Sequence, residues 1–319
     1  MKMKMKKTMV SLGVLVALLV MFGVNPVVAQ EKVKFEEKFE KTVNLAKDGK
    51  VIIGNISGNI EVKTWNKAQV QIDALKVSRE TTLAKAKENM GLVKIVITEE
   101  NSTLRIKTEW PEKQKKGLNV SITYTLMIPA EASINANTVS GDVICEEISG
   151  DLKAETVSGD VIVTGAANGA NCSTVSGNVE VDNVTGDVKL HTVSGDVLAN
   201  KIKGSVDADT VSGSVVLTNI TDADEIEAST ISGKVKYEGD LASSGYYHLK
   251  SHSGRVEFIV PSGSAFDLDA RTFSGSINSD FDITVRGKIE KKSLTGSVNG
   301  GGAEVELKAF SGNVYIKKK

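Results

Sequence analysis

Aromatic residues are scarce in this chain, at 5% of 319 residues, and Pro occurs four times. There are two Cys and three His, too few for a disulfide framework or a multi-ligand zinc centre. No basic excess is present: the formal charge is −1, which argues against a nucleic-acid binder. No nucleophile elbow, Walker loop, dinucleotide fingerprint or paired metal-binding histidines occur, so the common catalytic motifs are absent. What is abundant is glycine, 29 residues, in a chain that is 40% hydrophobic and 25% charged. That mixture is globular rather than disordered and suits a regular β architecture with many turns.

The first residues read as an address. Lys2, Lys4, Lys6 and Lys7 precede an uncharged, largely apolar stretch from Met9 to Val24. Asn25 and Pro26 break it, and Val27-Val28-Ala29 supplies the small-residue pattern of a signal-peptidase site. Residues 1–29 are therefore expected to be a cleaved signal peptide. The apolar stretch spans about 24 Å at ~1.5 Å per residue, short of a ~30 Å hydrocarbon core. No Cys directly follows it, so no lipoprotein anchor is expected, and no later segment reads as a transmembrane helix, so an extracytoplasmic chain is expected: periplasmic, cell-surface or secreted. Removing the signal leaves 35 basic against 40 acidic residues. Residues 131–240 hold 19 acids and 6 bases, while Lys317 to Lys319 form a basic tail.

The main signal is a repeat. Thr-Val-Ser-Gly stands at 138–141, 156–159, 174–177, 192–195 and 210–213, always 18 residues apart. Weaker copies fall midway, as in Ile148-Ser149-Gly150, Val184-Thr185-Gly186 and Ile202-Lys203-Gly204, so the unit is nine residues. A short fixed period marks a solenoid. Counted from each glycine place over 139–228, the columns two before, two after and four after hold 29 apolar residues in 30 places, with Asp224 the exception. All three columns are expected to face inward. The column three after the glycine is mostly polar and is expected to face out. Places two and four after share one face of a strand, because side chains alternate with period 2. Val dominates, as strands prefer, and a glycine every nine residues would weaken a helix by roughly 1 kcal/mol each.

Each unit is therefore a short strand and a Ser-Gly turn, and two units make one coil, with the next about 4.8 Å above. Thr138, Thr156, Thr174, Thr192 and Thr210 would form one ladder, and Ser140, Ser158, Ser176, Ser194 and Ser212 another. After Gly213 the glycines Gly233, Gly254, Gly275 and Gly296 are 20 or 21 apart, and Gly312 follows 16 later. These coils read as wider, with Ile231, His252, Phe273, Leu294 and Phe310 expected at inward places. The predicted fold is all-β: a β-solenoid (parallel β-helix) over 131–319 with 18-residue coils widening to about 21. A β-rich N-terminal segment or cap precedes it over 30–130, with a short helix near 80–90.

The run Ile56-Ser57-Gly58-Asn59-Ile60-Glu61-Val62 with Trp65, then Ile128-Pro129-Ala130, then repeated Thr-Val-Ser-Gly-Asp-Val, resembles the bacterial "putative adhesin" family. That family is a domain of unknown function related to autotransporter adhesin head domains. The resemblance covers most of the chain after the signal. It implies a β-helical fold, an extracytoplasmic setting and no catalytic residues.

Candidate chemistry is sparse. Cys145 and Cys172 share an inward column on opposite strands of neighbouring coils. Facing sheets lie ~10 Å apart and a disulfide wants Cα atoms within ~7 Å, so buried thiols are expected. Asp142, Asp160, Asn178, Asp196 and Ser214 follow the glycines on one side, and Asp151, Gly169, Asp187, Ser205 and Ala223 on the other. Stacked carboxylates could collect calcium, but one Asp per turn is the composition of a turn former. His191 stands in an outward column and His252 at an inward place; His248 is the third. Asp267, Asp269, Arg271, Asp282 and Arg286 could line the groove of a carbohydrate-active β-helix, against a solvated charged face as the plainer reading. Residues 131–236 contain no aromatic, and nine of the fifteen lie between Tyr237 and Tyr315. A sugar-binding surface wants aromatic faces, so 237–281 is the preferred ligand region, unless Phe258, Phe273 and Phe310 merely fill the wider coils.

The sequence thus predicts an exported, non-enzymatic structural or interaction protein of the cell envelope. It predicts no catalytic, cofactor or metal residues, no cofactor, an unidentified envelope or surface partner and no nucleic acid. The alternative is a lyase or hydrolase acting on an extracellular polysaccharide.

Overall fold

The computed structural model describes residues 32–111, 118–285 and 292–319. The expected signal at 1–29 lies outside these residues. Residues 32–319 group as one compact unit.

The chain opens with β1 (Val33–Asn44), β2 (Lys50–Gly54), β3 (Ile60–Trp65), β4 (Gln69–Glu80), α1 (Leu83–Leu92), β5 (Lys94–Glu100), β6 (Thr103–Glu109) and β7 (Val120–Pro129). The repeat then lays down β8 (Ser133–Ser140), β9 (Val143–Ile148), β10 (Leu152–Ser158), β11 (Val161–Ala166), β12 (Ala170–Ser176) and β13 (Val179–Thr185). It continues through β14 (Val188–Ser194), β15 (Val197–Lys203), β16 (Val206–Ser212), β17 (Val215–Ile220), β18 (Glu225–Ser232) and β19 (Val235–Gly239). The last coils are β20 (Tyr246–Ser253), β21 (Val256–Val260), β22 (Phe266–Ser274), β23 (Ile277–Ser279), β24 (Thr284–Val285), β25 (Ser293–Val298), β26 (Ala303–Ser311) and β27 (Val314–Lys318). The even strands from β8 to β20 stack in parallel as one sheet and the odd strands from β9 to β21 as the other, so one coil is two strands. This is the β-solenoid the repeat requires. The coils from β8 to β17 pair in 18-residue register, as in Val161 opposite Val143 and Val179.

The interior holds the columns two and four after each glycine, including Val143, Cys145, Leu152, Ala154, Val161 and Val163. Ala223 is buried in place of Asp224, which is exposed. The third expected inward column divides. Ile148, Ala166, Val184, Ile202 and Ile220 are buried, but Val139, Val157, Val175, Val193 and Val211 face solvent. The reason is a left-handed residue in the odd strands only: Glu147, Gly165, Asn183, Lys201 and Asn219 all have φ between 54° and 71°. One residue in that conformation breaks the period-2 alternation and turns the next side chain inward. In the even strands alternation runs on uninterrupted, so Thr138, Thr156, Thr174, Thr192 and Thr210 point in and the following Val points out.

The buried threonines are satisfied one coil away. Thr156 Oγ1 donates to the Gly141 carbonyl at 2.9 Å, Thr174 to Gly159 at 3.0 Å and Thr192 to Gly177 at 2.9 Å. The matching serines are exposed. The turn glycines are required by crowding: at Gly177, φ is +145° and a Cβ would sit 2.0 Å from the Gly159 carbonyl oxygen.

Both ends of the stack depart from chain order. The coil β2–β3 lies between β6–β7 and β8–β9, and the last coil β26–β27 slides between β20–β21 and β22–β23. Gly275 therefore stacks on Gly312, and Gly296 is not a coil turn but lies on β25, antiparallel to β22. The widened coils carry their extra residues in loops, and their interior is aromatic. Tyr237 lies opposite Leu217, and Tyr237, Tyr247, Phe258, Phe266 and Phe281 pack with centroids 5.4–6.3 Å apart. Antiparallel strands lie beyond the parallel stack at three of the four sheet ends, β1 and β4 beside β7, β5 beside β6, and β24 and β25 beside β22, while the three-residue β23 ends the fourth.

Candidate functional site

The outward Val of each even strand is one rung of a ladder. Strand register places Ile56, Val139, Val157, Val175, Val193, Val211, Ile231, His252, Phe310 and Phe273 side by side in that order. All ten are exposed. At about 4.8 Å per strand the nine steps give an apolar stripe roughly 43 Å long. Ile231, His252, Phe273 and Phe310, expected inward, are corrected to this outer face for the same alternation reason. Phe258 alone of the three candidate core phenylalanines is buried.

The stripe ends in stacked rings. The His252 and Phe310 centroids are 4.7 Å apart with planes 5° from parallel, and those of Phe310 and Phe273 4.8 Å apart at 2°. Phe273 closes the stack and is 71% exposed, with no further ring stacked on it among the described residues. Two residues earlier on the same three strands stand Lys250, Lys308 and Arg271, also in register. Rings and cations, with Lys292, border a hollow of ≈ 540 Å³. A second hollow of ≈ 340 Å³ shares Lys250 and His252 and continues over Ile231.

A further two residues away stand Asp269 on β22, Glu306 on β26 and His248 on β20. Arg271 Nε and Nη2 donate to Asp269 at 2.9 and 2.7 Å. Lys308 pairs with Glu306 and holds its carboxyl below the ordinary carboxylate range, against burial and with help from His248. Lys292 Nζ donates to the Gly275 carbonyl at 2.5 Å. Among the described residues Lys250 makes no ion pair. Two of the four cations are thus offset and two are not.

The remaining candidates have structural employment. The Asp160 amide donates to Asp142 Oδ1 at 3.0 Å, the Asn178 amide to Asp160 Oδ1 at 2.7 Å, and the Asp196 and Ser214 amides continue the chain. On the other side the Ser205 amide donates to Asp187 Oδ1 at 2.9 Å, and Asn168 Nδ2 to Asp151 Oδ1 at 2.7 Å. Gly169 makes a tight turn at φ +72°, and Ala223 is core. These side chains bind the next coil's turn. His191 is exposed beside Asp209 at 2.6 Å, and His248 Nε2 lies 3.4 Å from Glu306. Cys145 and Cys172 are free and buried on opposite sheets. Burial pushes the Cys145 thiol up to about 12 and Cys172 higher still, with Cys145 adding to it.

Of the groove candidates, Asp267 and Asp269 share an outer face of β22 with Arg271, beside Glu304 and Glu306 of β26. Ser297 Oγ donates to Asp267 at 2.6 Å. Asp282 is exposed in the loop after β23, and Arg286 lies outside the described residues. Sequence reasoning missed the exposed stripe and the cations Lys250, Lys292 and Lys308. The readable signal for the stripe was Gly165, Asn183 and Asn219, residue types that accept the left-handed conformation, present only in alternate units.

No helix among the described residues is long and apolar enough to cross a membrane. No curated protein matches the chain. Similar solved structures include a "putative adhesin" of Bacteroides fragilis, 13% identical, TM-score 0.41, over 88% of this chain and 96% of that one. Others are a "putative cell adhesion protein" of Clostridium sporogenes (10%, TM-score 0.25, 89% and 100%) and a "putative lipid binding protein" of Parabacteroides distasonis (15%, TM-score 0.26, 89% and 97%). The family model described as Toastrack DUF4097, a domain of unknown function, matches residues 50–317, and the chain belongs to that family.

Proposed function

We infer that this is an exported, non-enzymatic interaction protein of the cell envelope, a rigid β-column that presents one long face to a partner. The observation that carries the reading is the apolar ladder from Ile56 to Phe273. Stacking alone does not call for it: the interior columns already bury the core, and a serine or threonine at each rung would serve the strand as well. A contiguous apolar surface kept in water is the mark of an interaction site. Adjacent coils support one another along the column, so the face is held without ordering cost at binding. Residues 1–29 supply the export signal in this reading, and the turn carboxylates, already accepting from neighbouring amides, serve the scaffold.

Expression of the full chain in a bacterial host, fractionation and amino-terminal sequencing test export: the recovered extracytoplasmic chain is expected to begin at Gln30. An intact Met1 in the cytosol would refute it. Incubation with a panel of acidic polysaccharides is expected to leave their chain length unchanged. Shortened products would replace this reading with the lyase or hydrolase alternative.

A further inference from the structure

The geometry points to an acidic polysaccharide as the occupant of the groove at the aromatic end of the stripe. This rests on the reading of the chain as an exported interaction protein and adds the chemistry of the ligand. Three features select it. First, the His252–Phe310–Phe273 stack ends on a ring with no further ring opposite it and 71% of its surface in water. An aromatic face of that kind accepts the C–H face of a sugar ring. Second, Lys250 and Lys292 lie along the same hollow without a carboxylate partner among the described residues, while Arg271 and Lys308 are shared with Asp269 and Glu306. The surplus is positive on a chain whose neighbouring coils are acidic, so the ligand is anionic and is attracted at this end of the column. Third, the hollow does not end at the stack: its ≈ 540 Å³ share Lys250 and His252 with the ≈ 340 Å³ that follow over Ile231. A small ligand would need most of its surface buried. Rings that remain this exposed suit a polymer, which gathers affinity along its length. Single-stranded nucleic acid also joins stacking to cations, but an exported chain meets polysaccharides.

Binding of the signal-free chain to polygalacturonate, to neutral dextran and to single-stranded oligothymidylate tests the assignment by calorimetry at low and moderate salt. Polygalacturonate is expected to bind, more weakly as salt rises, while dextran and oligothymidylate do not. Phe273→Ala is expected to weaken binding about tenfold, and Lys250→Glu severalfold. Thr185→Ala, exposed on β13 of the other sheet, leaves it unchanged. Phe273 and Lys250 are exposed, so their variants should keep the wild-type circular dichroism. Equal binding of dextran, preferred binding of oligothymidylate, absence of polygalacturonate binding, or binding indifferent to Phe273→Ala and Lys250→Glu would each overturn the proposal. Those outcomes leave the export test untouched. A chain that binds polygalacturonate but is retained in the cytosol sinks the export reading instead.

Discussion

Val175 and Val184 occupy the same place, two residues before a glycine, in successive half-coils. Val175 is 48% exposed and Val184 is 1% exposed. Truncation to alanine should therefore cost different amounts. Val→Ala removes two carbons, worth about 0.8 kcal/mol each when fully buried, or ~1.6 kcal/mol of transfer free energy. At Val184 a residual cavity adds to this, for a loss of about 2–3 kcal/mol. At Val175 half of the transfer is already forgone and no cavity forms, so the loss is about 0.8 kcal/mol or less. The assay is urea unfolding of both variants, followed by far-ultraviolet circular dichroism and by tryptophan fluorescence. The two Trp, Trp65 and Trp110, report on the first coils, whereas circular dichroism reports on the whole column. Coincident transitions with equal m-values permit the comparison, a necessary check in a repeat protein. Losses that agree within about 0.5 kcal/mol would refute the broken alternation in the odd strands as the cause of the divided column, and a larger loss at Val175 would reverse it.

The left-handed residue that creates the difference can be tested directly: Asn183→Gly should be near neutral, whereas Asn183→Val should cost a further 1–2 kcal/mol or so by the same urea assay. Gly177→Ala should destabilise by about 2 kcal/mol or more, since its Cβ would meet the Gly159 carbonyl at 2.0 Å, while Gly54→Ala, with no heavy atom within 4 Å, should be neutral or slightly stabilising. The Cys145 thiol is raised from its ordinary 9.0 to about 12, so the stability it contributes is complete below about pH 9 and is lost as pH rises towards 12. Unfolding free energy should decline through that window and decline less in Cys145→Ala. At pH 8 both thiols should resist an aromatic disulfide reagent until urea is added, and prompt labelling of the native chain would contradict their burial.

Much of the column was legible. Nine-residue spacing, apolar residues two and four places after the glycine places with Asp224 the exception, and mostly polar residues between them are local facts. Period 2 converts them into an inside and an outside without knowledge of any distant contact. The half of the third column that points outward was not legible from hydrophobicity, because Val175 and Val184 are the same residue at the same offset. Backbone conformation at position 183 separates them, and at positions 147 and 201 that conformation is adopted by Glu and Lys, which do not announce it. The turn carboxylates accept from the amide of the next repeat's turn, 18 residues away, a contact that follows from the repeat period.

By itself, then, the sequence determined the repeat, the coil of two strands, the packed interior and the glycine turns, since each follows from side-chain period and local backbone freedom. Only the tertiary structure decided the order of the end coils and what that order assembles. Lys250, Lys308 and Arg271, with His252, Phe310 and Phe273, become neighbours because β26 slides between β20 and β22, so that residue 308 lies between 250 and 271. No local pattern encodes that insertion: it is chosen by which coil best buries the edges of two others, a long-range competition settled only when the whole column packs.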